Sequence, residues 1–203
     1  SAAAAVYEAL STPWSARPET TGGGGSAGVA PTTDLARRIG WHALNIARIE
    51  AGTPLYMLDF GPDSLPHECG DAVLNDRVSF KKGCYLGQEI VARMQSLGHP
   101  KQKLVALKFD LPAPISPAAT ESTPNWGDAT PQAVTGTPIV EADAPGAGVV
   151  GAVTSSCLSP MLGQTPIAFA MVKYSHTQPG QKLWAQLDGS RMMATVQDGM
   201  RFV

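Results

Sequence analysis

Between positions 103 and 109 the apolar residues Val105, Leu107 and Phe109 alternate with Leu104, Ala106 and Lys108. A period of two predicts a β-strand. Short runs of the same kind follow at 138–141, 148–154, 167–174, 182–187 and 192–197, separated by Gly and Pro turns. Strands this short at this spacing predict a small antiparallel barrel. The first half of the chain is patterned differently. From Leu86 the apolar residues fall at Leu86, Ile90, Met94 and Leu97, one face of a helix. Thr32 or Thr33 followed by Asp34 marks another helix start, continued by Leu35 and Ile39 and ended by Gly40 and Trp41. Val6, Leu10 and Trp14 outline a shorter helix whose end Pro13 disturbs. Leu44, Ile46 and Ile49 fit a strand or a helix, and Gly52-Thr53-Pro54 reads as a turn before a short apolar run at 55–60. The fold class is therefore α+β, with one domain over 1–99 and a β-barrel over 100–203.

Two stretches carry no periodicity. Thr20 to Gly28, with four consecutive glycines, reads as a flexible loop; it lacks the Gly-Lys-Ser/Thr ending of a phosphate-cradling loop. Positions 110–138, rich in Pro, Ala, Thr and Ser, read as a long insertion within the barrel.

Composition narrows the function. Of 203 residues 43% are hydrophobic, enough for a core, and 16% are charged with a net charge of −2. That balance gives no footing for nucleic acid or an acidic membrane surface. No run of about eighteen apolar residues is present to span a membrane. The opening Ser1-Ala2-Ala3-Ala4-Ala5 has no basic region, so a secretory leader is not expected. Cys69, Cys84 and Cys157 are odd in number and widely spaced, without metal-site spacing. This favours a reducing compartment, the cytoplasm or an organelle matrix.

The strongest chemistry lies in Lys81-Lys82-Gly83-Cys84-Tyr85-Leu86-Gly87-Gln88-Glu89. A loop that enters a helix near Cys84 points unpaired N–H groups outward, and with Lys81 and Lys82 it favours a thiolate there. A small buried cysteine beside a helix start is the alternative reading. His67, Glu68 and Cys69 are adjacent, but neighbours on a strand diverge, so a structural role is expected and no metal site is assigned. On a strand, Arg48 and Glu50 would share one face, opposite Ile49.

Lys82-Gly83-Cys84-Tyr85-x-Gly87-Gln88-Glu89 resembles the signature of the YgfZ family, folate-binding proteins related to the T-protein of the glycine cleavage system. Arg48-Ile49-Glu50-Ala51-Gly52, with Pro54, is similar to that superfamily's Arg-x-Glu-Ala-Gly segment, and Pro66-His67-Glu68 to its Pro-x-Glu element. Gly151-Ala152-Val153-Thr154-Ser155 with Ser159-Pro160 resembles a segment of its C-terminal barrel. The Arg48 segment, the Cys84 motif and the barrel segment stand in the family's order.

The resemblance implies the C-terminal part of a T-protein-like folate-binding domain followed by the barrel. Only 47 residues precede Arg48, so the family's first half of that domain is expected to lie outside this sequence. It further implies tetrahydrofolate as cofactor, with Arg48 facing it and Glu50 holding the arginine or its loop. Cys84 would be the reactive thiol and Lys82 its cationic neighbour. Gly83, Tyr85 and Gly87 would shape the loop, and Gln88 and Glu89 would cap the helix start or hold the loop's hydrogen bonds. The implied function is assistance to the synthesis or repair of iron–sulfur clusters in client or assembly proteins. The alternative is folate-dependent aminomethyl or one-carbon transfer, as in the T-protein. That protein lacks this cysteine motif and relies on an aspartate in its first half, which this chain lacks. Whether the chain is an enzyme is left open.

Overall fold

The computed structural model describes residues 39–110, 132–188 and 190–202. The expected helices over 6–14 and 32–39, the glycine loop and most of the 110–138 insertion lie outside those residues. Contacts group the chain into two units, Ser1–Leu44 and Asn45–Val203. Every helix and strand of the described residues belongs to the second, apart from the first turn of a helix that begins at Trp41.

Six strands close a barrel: β1 (Gln102–Phe109), β2 (Pro138–Val140), β3 (Val149–Ser159), β4 (Thr165–Lys173), β5 (Lys182–Leu187) and β6 (Ser190–Val196). Around the barrel they run β1-β4-β3-β2-β5-β6, every pairing antiparallel, and β6 returns to β1. The expected α+β class and antiparallel barrel are both present. Closure leaves no edge strand exposed. The strands match the five runs read downstream of β1, with β3 reaching five residues beyond its expected end at 154.

Among the described residues three α-helices precede the barrel: α1 (Trp41–Glu50), α2 (Asp71–Arg77) and α3 (Gln88–Leu97). The ambiguous stretch before Gly52 is thus a helix. Trp41 opens α1 where the sequence pattern had it ending one, because the Gly40 carbonyl accepts the Leu44 N–H at 3.1 Å and begins the ladder. On a helix, positions 48 and 50 stand about 200° apart, so Arg48 and Glu50 diverge where a strand would have aligned them.

The apolar residues form two cores. Val105, Leu107, Phe109, Ile139, Val153, Val172, Leu183 and Val196 fill the barrel. Outside it, Leu104 and Ala106 of β1 and Ile167 and Phe169 of β4 join Cys157, Met200 and Ile49 of α1 in a second cluster. The simple alternation of β1 therefore does not become alternating exposure. Both of its faces are covered, and Leu104 through Leu107 are all buried.

Candidate functional site

The Arg48-Ile49-Glu50 segment ends α1 on the barrel's outer face, and all three residues are buried. Arg48, with its side chain only 4% exposed, gives Nη1 to Asp59 Oδ2 at 2.5 Å and Nε to Asn45 Oδ1 at 2.9 Å. Its guanidinium carbon lies 5.7 Å from the centre of the Phe169 ring, within cation–π range. Asp59 is saturated in turn. Its Oδ2 also accepts the Leu55 N–H at 2.8 Å, and its Oδ1 accepts Thr154 Oγ1 at 2.8 Å and the Ser155 hydroxyl. Removing two charges from water is tolerable only when each is paired and hydrogen-bonded, and here both are.

Glu50 holds a different element. Its Oε1 accepts Ser159 Oγ at 2.5 Å and the Met161 N–H at 3.2 Å, fixing the turn between β3 and β4. The Glu50 carbonyl accepts the Phe202 N–H at 3.0 Å. Gly52 completes the joint with φ +75°, where a Cβ would stand 2.7 Å from the Met200 and Arg201 backbone. Only glycine fits that approach. Thr154, Ser155 and Ser159 of β3 are the polar sockets for this joint. Asp59 is the residue that sequence reasoning missed. It sits in an apolar run, and nothing local marks it as the partner of Arg48.

Beside the joint, a cleft of about 920 Å³ opens between the chain from Gly52 to Pro66 and helix α2. Pro54, Leu55, Tyr56, Phe60, Val73 and Val78 give it an apolar wall, and Asp76 and Arg77 lie at its polar side. Arg48 does not line it. The arginine acts behind the wall: the Asp59 carboxylate that it holds fixes Leu55, and Met57, in the left-handed region with φ 68°, donates its N–H to Phe60 at 2.7 Å.

His67 and Glu68 lie in a short 3-10 turn that Cys69 caps, and all three residues are buried. Glu68 Oε2 accepts the Leu65 N–H at 3.0 Å, and Cys69 Sγ donates to the Leu65 carbonyl at 3.4 Å. His67 Nε2 meets Gln95 Oε1 of α3 at 3.1 Å. Burial pushes the Cys69 thiol up to about 11, with the Glu68 carboxylate adding to the effect. Cys157, in the second core, is pushed up to about 12 by burial and by Glu50, against the opposing charge of Arg48.

Cys84 stands in contrast. It is exposed, in a loop whose Lys81, Lys82 and Gly83 are exposed and whose Tyr85 is half-buried. Among the described residues its thiol has no hydrogen-bond partner. The helix begins at Gln88, later than expected, because Gly87 takes the cap position with φ +84° and has no side chain to offer. The Gln88 N–H reaches back to the Tyr85 carbonyl at 3.2 Å, while neither the Gln88 nor the Glu89 side chain closes the cap. The stripe that predicted α3 faces outward. Leu86 is fully exposed, Leu97 is 83% and Ile90 50% exposed, and Val91 is the buried residue. The structure therefore gathers Arg48 and Glu50 at the barrel joint and leaves Cys84 and Lys82 in a separate, solvent-facing loop.

Known proteins agree with this architecture. Residues 125–202 match the glycine cleavage T-protein C-terminal barrel domain. The crystal structure of glycine cleavage system aminomethyltransferase T from Bartonella henselae superposes with a TM-score of 0.57 over 79% of this chain and 38% of that one, at 22% identity, which speaks for the fold. Over residues 125–202 the chain is thus similar to the barrel domain of the glycine cleavage T-protein.

In parts the chain is also similar to YgfZ-type proteins. It is 39% identical over 71 residues to the tRNA-modifying protein YgfZ of Colwellia psychrerythraea, a match covering 35% of this chain and 22% of that protein. It is 41% identical over 76 residues to the human iron-sulfur cluster assembly factor IBA57, mitochondrial, covering 36% of this chain and 21% of the relative. The matches thus span about a fifth of these relatives' length. Among the described residues no helix is long and apolar enough to cross a membrane.

Proposed function

We infer that this chain serves the assembly or repair of iron–sulfur clusters in other proteins, through Cys84. The observation that carries this reading is the division among three free thiols. Two are buried with raised pKa values, and the third is presented to solvent between two lysines and a helix start. The name of one relative, an iron–sulfur cluster assembly factor, points the same way. Iron–sulfur clusters take about four protein ligands, so a single thiol acts only together with ligands from a partner. Lys82 sets positive charge beside the sulfur, and Gly83, Tyr85 and Gly87 give the loop its shape.

Tetrahydrofolate fits the apolar cleft in size and character, since about 300–1,000 Å³ with mostly apolar walls is usual for such ligands. In this reading Arg48 and Glu50 are positioning residues. Arg48 fixes the Leu55 wall through Asp59, and Glu50 fixes α1 on the barrel. Folate supplies the one-carbon or redox chemistry of the pterin when bound; this chain's residues supply the wall that holds it.

Complementation tests the thiol. In cells lacking the protein, Cys84→Ser is expected to lower the activity of cluster-dependent enzymes about tenfold or more, as loss of a required ligand does, while Cys69→Ala is not. Equal complementation by Cys84→Ser and wild type would overturn the reading. Calorimetric titration with tetrahydrofolate tests the cleft. Val73→Trp, which fills it, is expected to weaken binding by about tenfold, or 1.4 kcal/mol. Absence of binding to the wild-type protein would remove folate from the proposal and leave Cys84 as its only centre.

A further inference from the structure

The wall of the cleft has two ends, and both meet the same residue. The chain that forms most of it runs from Gly52 to Cys69 and passes into α2 through Gly70. Each end turns on a glycine of positive φ, +75° at Gly52 and +92° at Gly70. Beside Gly52 the nearest atoms belong to the main chain of Met200 and Arg201. Beside Gly70 they belong to the Met200 side chain and the Leu104 carbonyl. A Cβ at Gly70 would stand 3.4 Å from Met200 Sδ and 3.5 Å from its Cγ. Met200 thus touches two points of the wall that lie far apart in sequence.

Met200 is itself firmly held. It is buried in the second core with Leu104, Ile167 and Phe169. The tail that carries it is bonded on both sides. The Gln197 N–H reaches the Ala106 carbonyl at 2.9 Å, and the Phe202 N–H reaches the Glu50 carbonyl at 3.0 Å. Phe202 also stacks on Phe169, with ring centres 6.2 Å apart. Midway along the wall, Asp59 supplies a third mount through Arg48, Thr154 and Ser155. Between the mounts the wall bonds mostly to itself, as Met57 does to Phe60 and Leu65 to Glu68. A segment with few long-range contacts opens locally at lower free energy than the body that carries it. The position of the wall therefore depends on its mounts. Met200 does not line the cleft, so its influence there passes through the wall.

We propose that Met200 is a positioning residue for the cleft. Its main chain sets the Gly52 end of the wall, its side chain sets the Gly70 end, and together they fix the width between them. Ile167 belongs to the same core, but the atoms nearest the two glycines are those of Met200, Arg201 and Leu104. Loss of the Met200 side chain therefore frees the Gly70 end of the wall and the start of α2, where loss of packing at Ile167 does not. The consequence for tetrahydrofolate rests on the reading of the cleft given above; the mounting of the wall does not.

Amide hydrogen exchange read by mass spectrometry, without ligand, tests the mount. Met200→Ala is expected to speed exchange about tenfold between Pro66 and Arg77, the signature of a local opening. Strand β5, which pairs with neither β1 nor β4, should stay within about twofold of wild type. Met200→Leu, close in volume, should restore the wild-type pattern. Ile167→Val, a loss of packing in the same core, should not single out that segment. Should Met200→Ala fail to fold, Met200→Val removes the Sδ contact more gently and is expected to give the same local pattern at smaller size. Exchange raised evenly over the barrel, no change between Pro66 and Arg77, or an equal defect in Met200→Leu would overturn the proposal. Calorimetric titration with tetrahydrofolate then reads the cleft. Met200→Ala should weaken binding about tenfold, or 1.4 kcal/mol, and Met200→Leu should recover it. Unchanged binding in a variant whose wall is freed would also overturn the positioning role. If the wild-type protein does not bind tetrahydrofolate, the folate reading fails, and the exchange pattern still decides the mount.

Discussion

The joint around Arg48 and the loop around Cys84 belong to one compact unit and carry the two most distinctive motifs in the chain, yet they handle polar side chains in opposite ways. At the joint every charge is buried and answered: Arg48 by Asp59 and Asn45, Asp59 by Leu55, Thr154 and Ser155, Glu50 by Ser159 and Met161. At the loop, Lys81, Lys82, Cys84 and Glu89 all face solvent, and the helix start goes without a side-chain cap. Burial with full pairing makes a residue indispensable to the fold and inaccessible to a partner. Exposure does the reverse. The comparison therefore assigns stability to the first motif and leaves the second accessible to solvent.

The most severe test of that division is Asp59→Ala. It leaves Arg48 charged, buried and without its carboxylate, and is expected to cost about 3–5 kcal/mol in denaturant unfolding. Replacing both partners with apolar residues should recover much of the loss, because no uncompensated charge then remains. A small effect from the single change would mean that the joint is solvated in solution.

Gly52→Ala is expected to cost about 1–3 kcal/mol, from the unfavourable φ and from crowding against the backbone of Met200 and Arg201. Its effect should appear in unfolding midpoints and leave alkylation of Cys84 in the folded protein untouched.

Alkaline titration sharpens the contrast further. Cys69 and Cys157 hold their protons to about 11 and about 12 in the folded chain, against an ordinary value of 9.0. The folded state thus binds more protons than the unfolded one above that value. Stability is complete below pH 9 and falls as pH rises toward 11 and 12. Urea midpoints measured across that range should decline, and Cys157→Ala with Cys69→Ala should flatten the decline.

The smallest expected effect is that of Cys84→Ser on stability, within about 0.5 kcal/mol, as for other exposed positions. In the folded protein a single equivalent of iodoacetamide should react, and this variant should abolish the reaction. Labelling of Cys69 or Cys157 at a comparable rate would break the distinction between the two regions.

Period-two runs and their turns were enough to place all six strands, because alternation and breaker residues are local properties of the chain. The motif around Cys84 was equally legible, as was the apolar stripe of α3. Which way that stripe faces was not, since periodicity reports that a helix has an apolar side and says nothing of what covers it. Arg48 and Glu50 were visible as charged residues in a distinctive segment, but their directions depended on a choice between strand and helix that Leu44, Ile46 and Ile49 left open. The pairing of Arg48 with Asp59, of Glu50 with Ser159 and of β1 with both cores was decided only by the tertiary structure. Those contacts join residues far apart in sequence, and their energy comes from shared burial, which exists only once the barrel has closed.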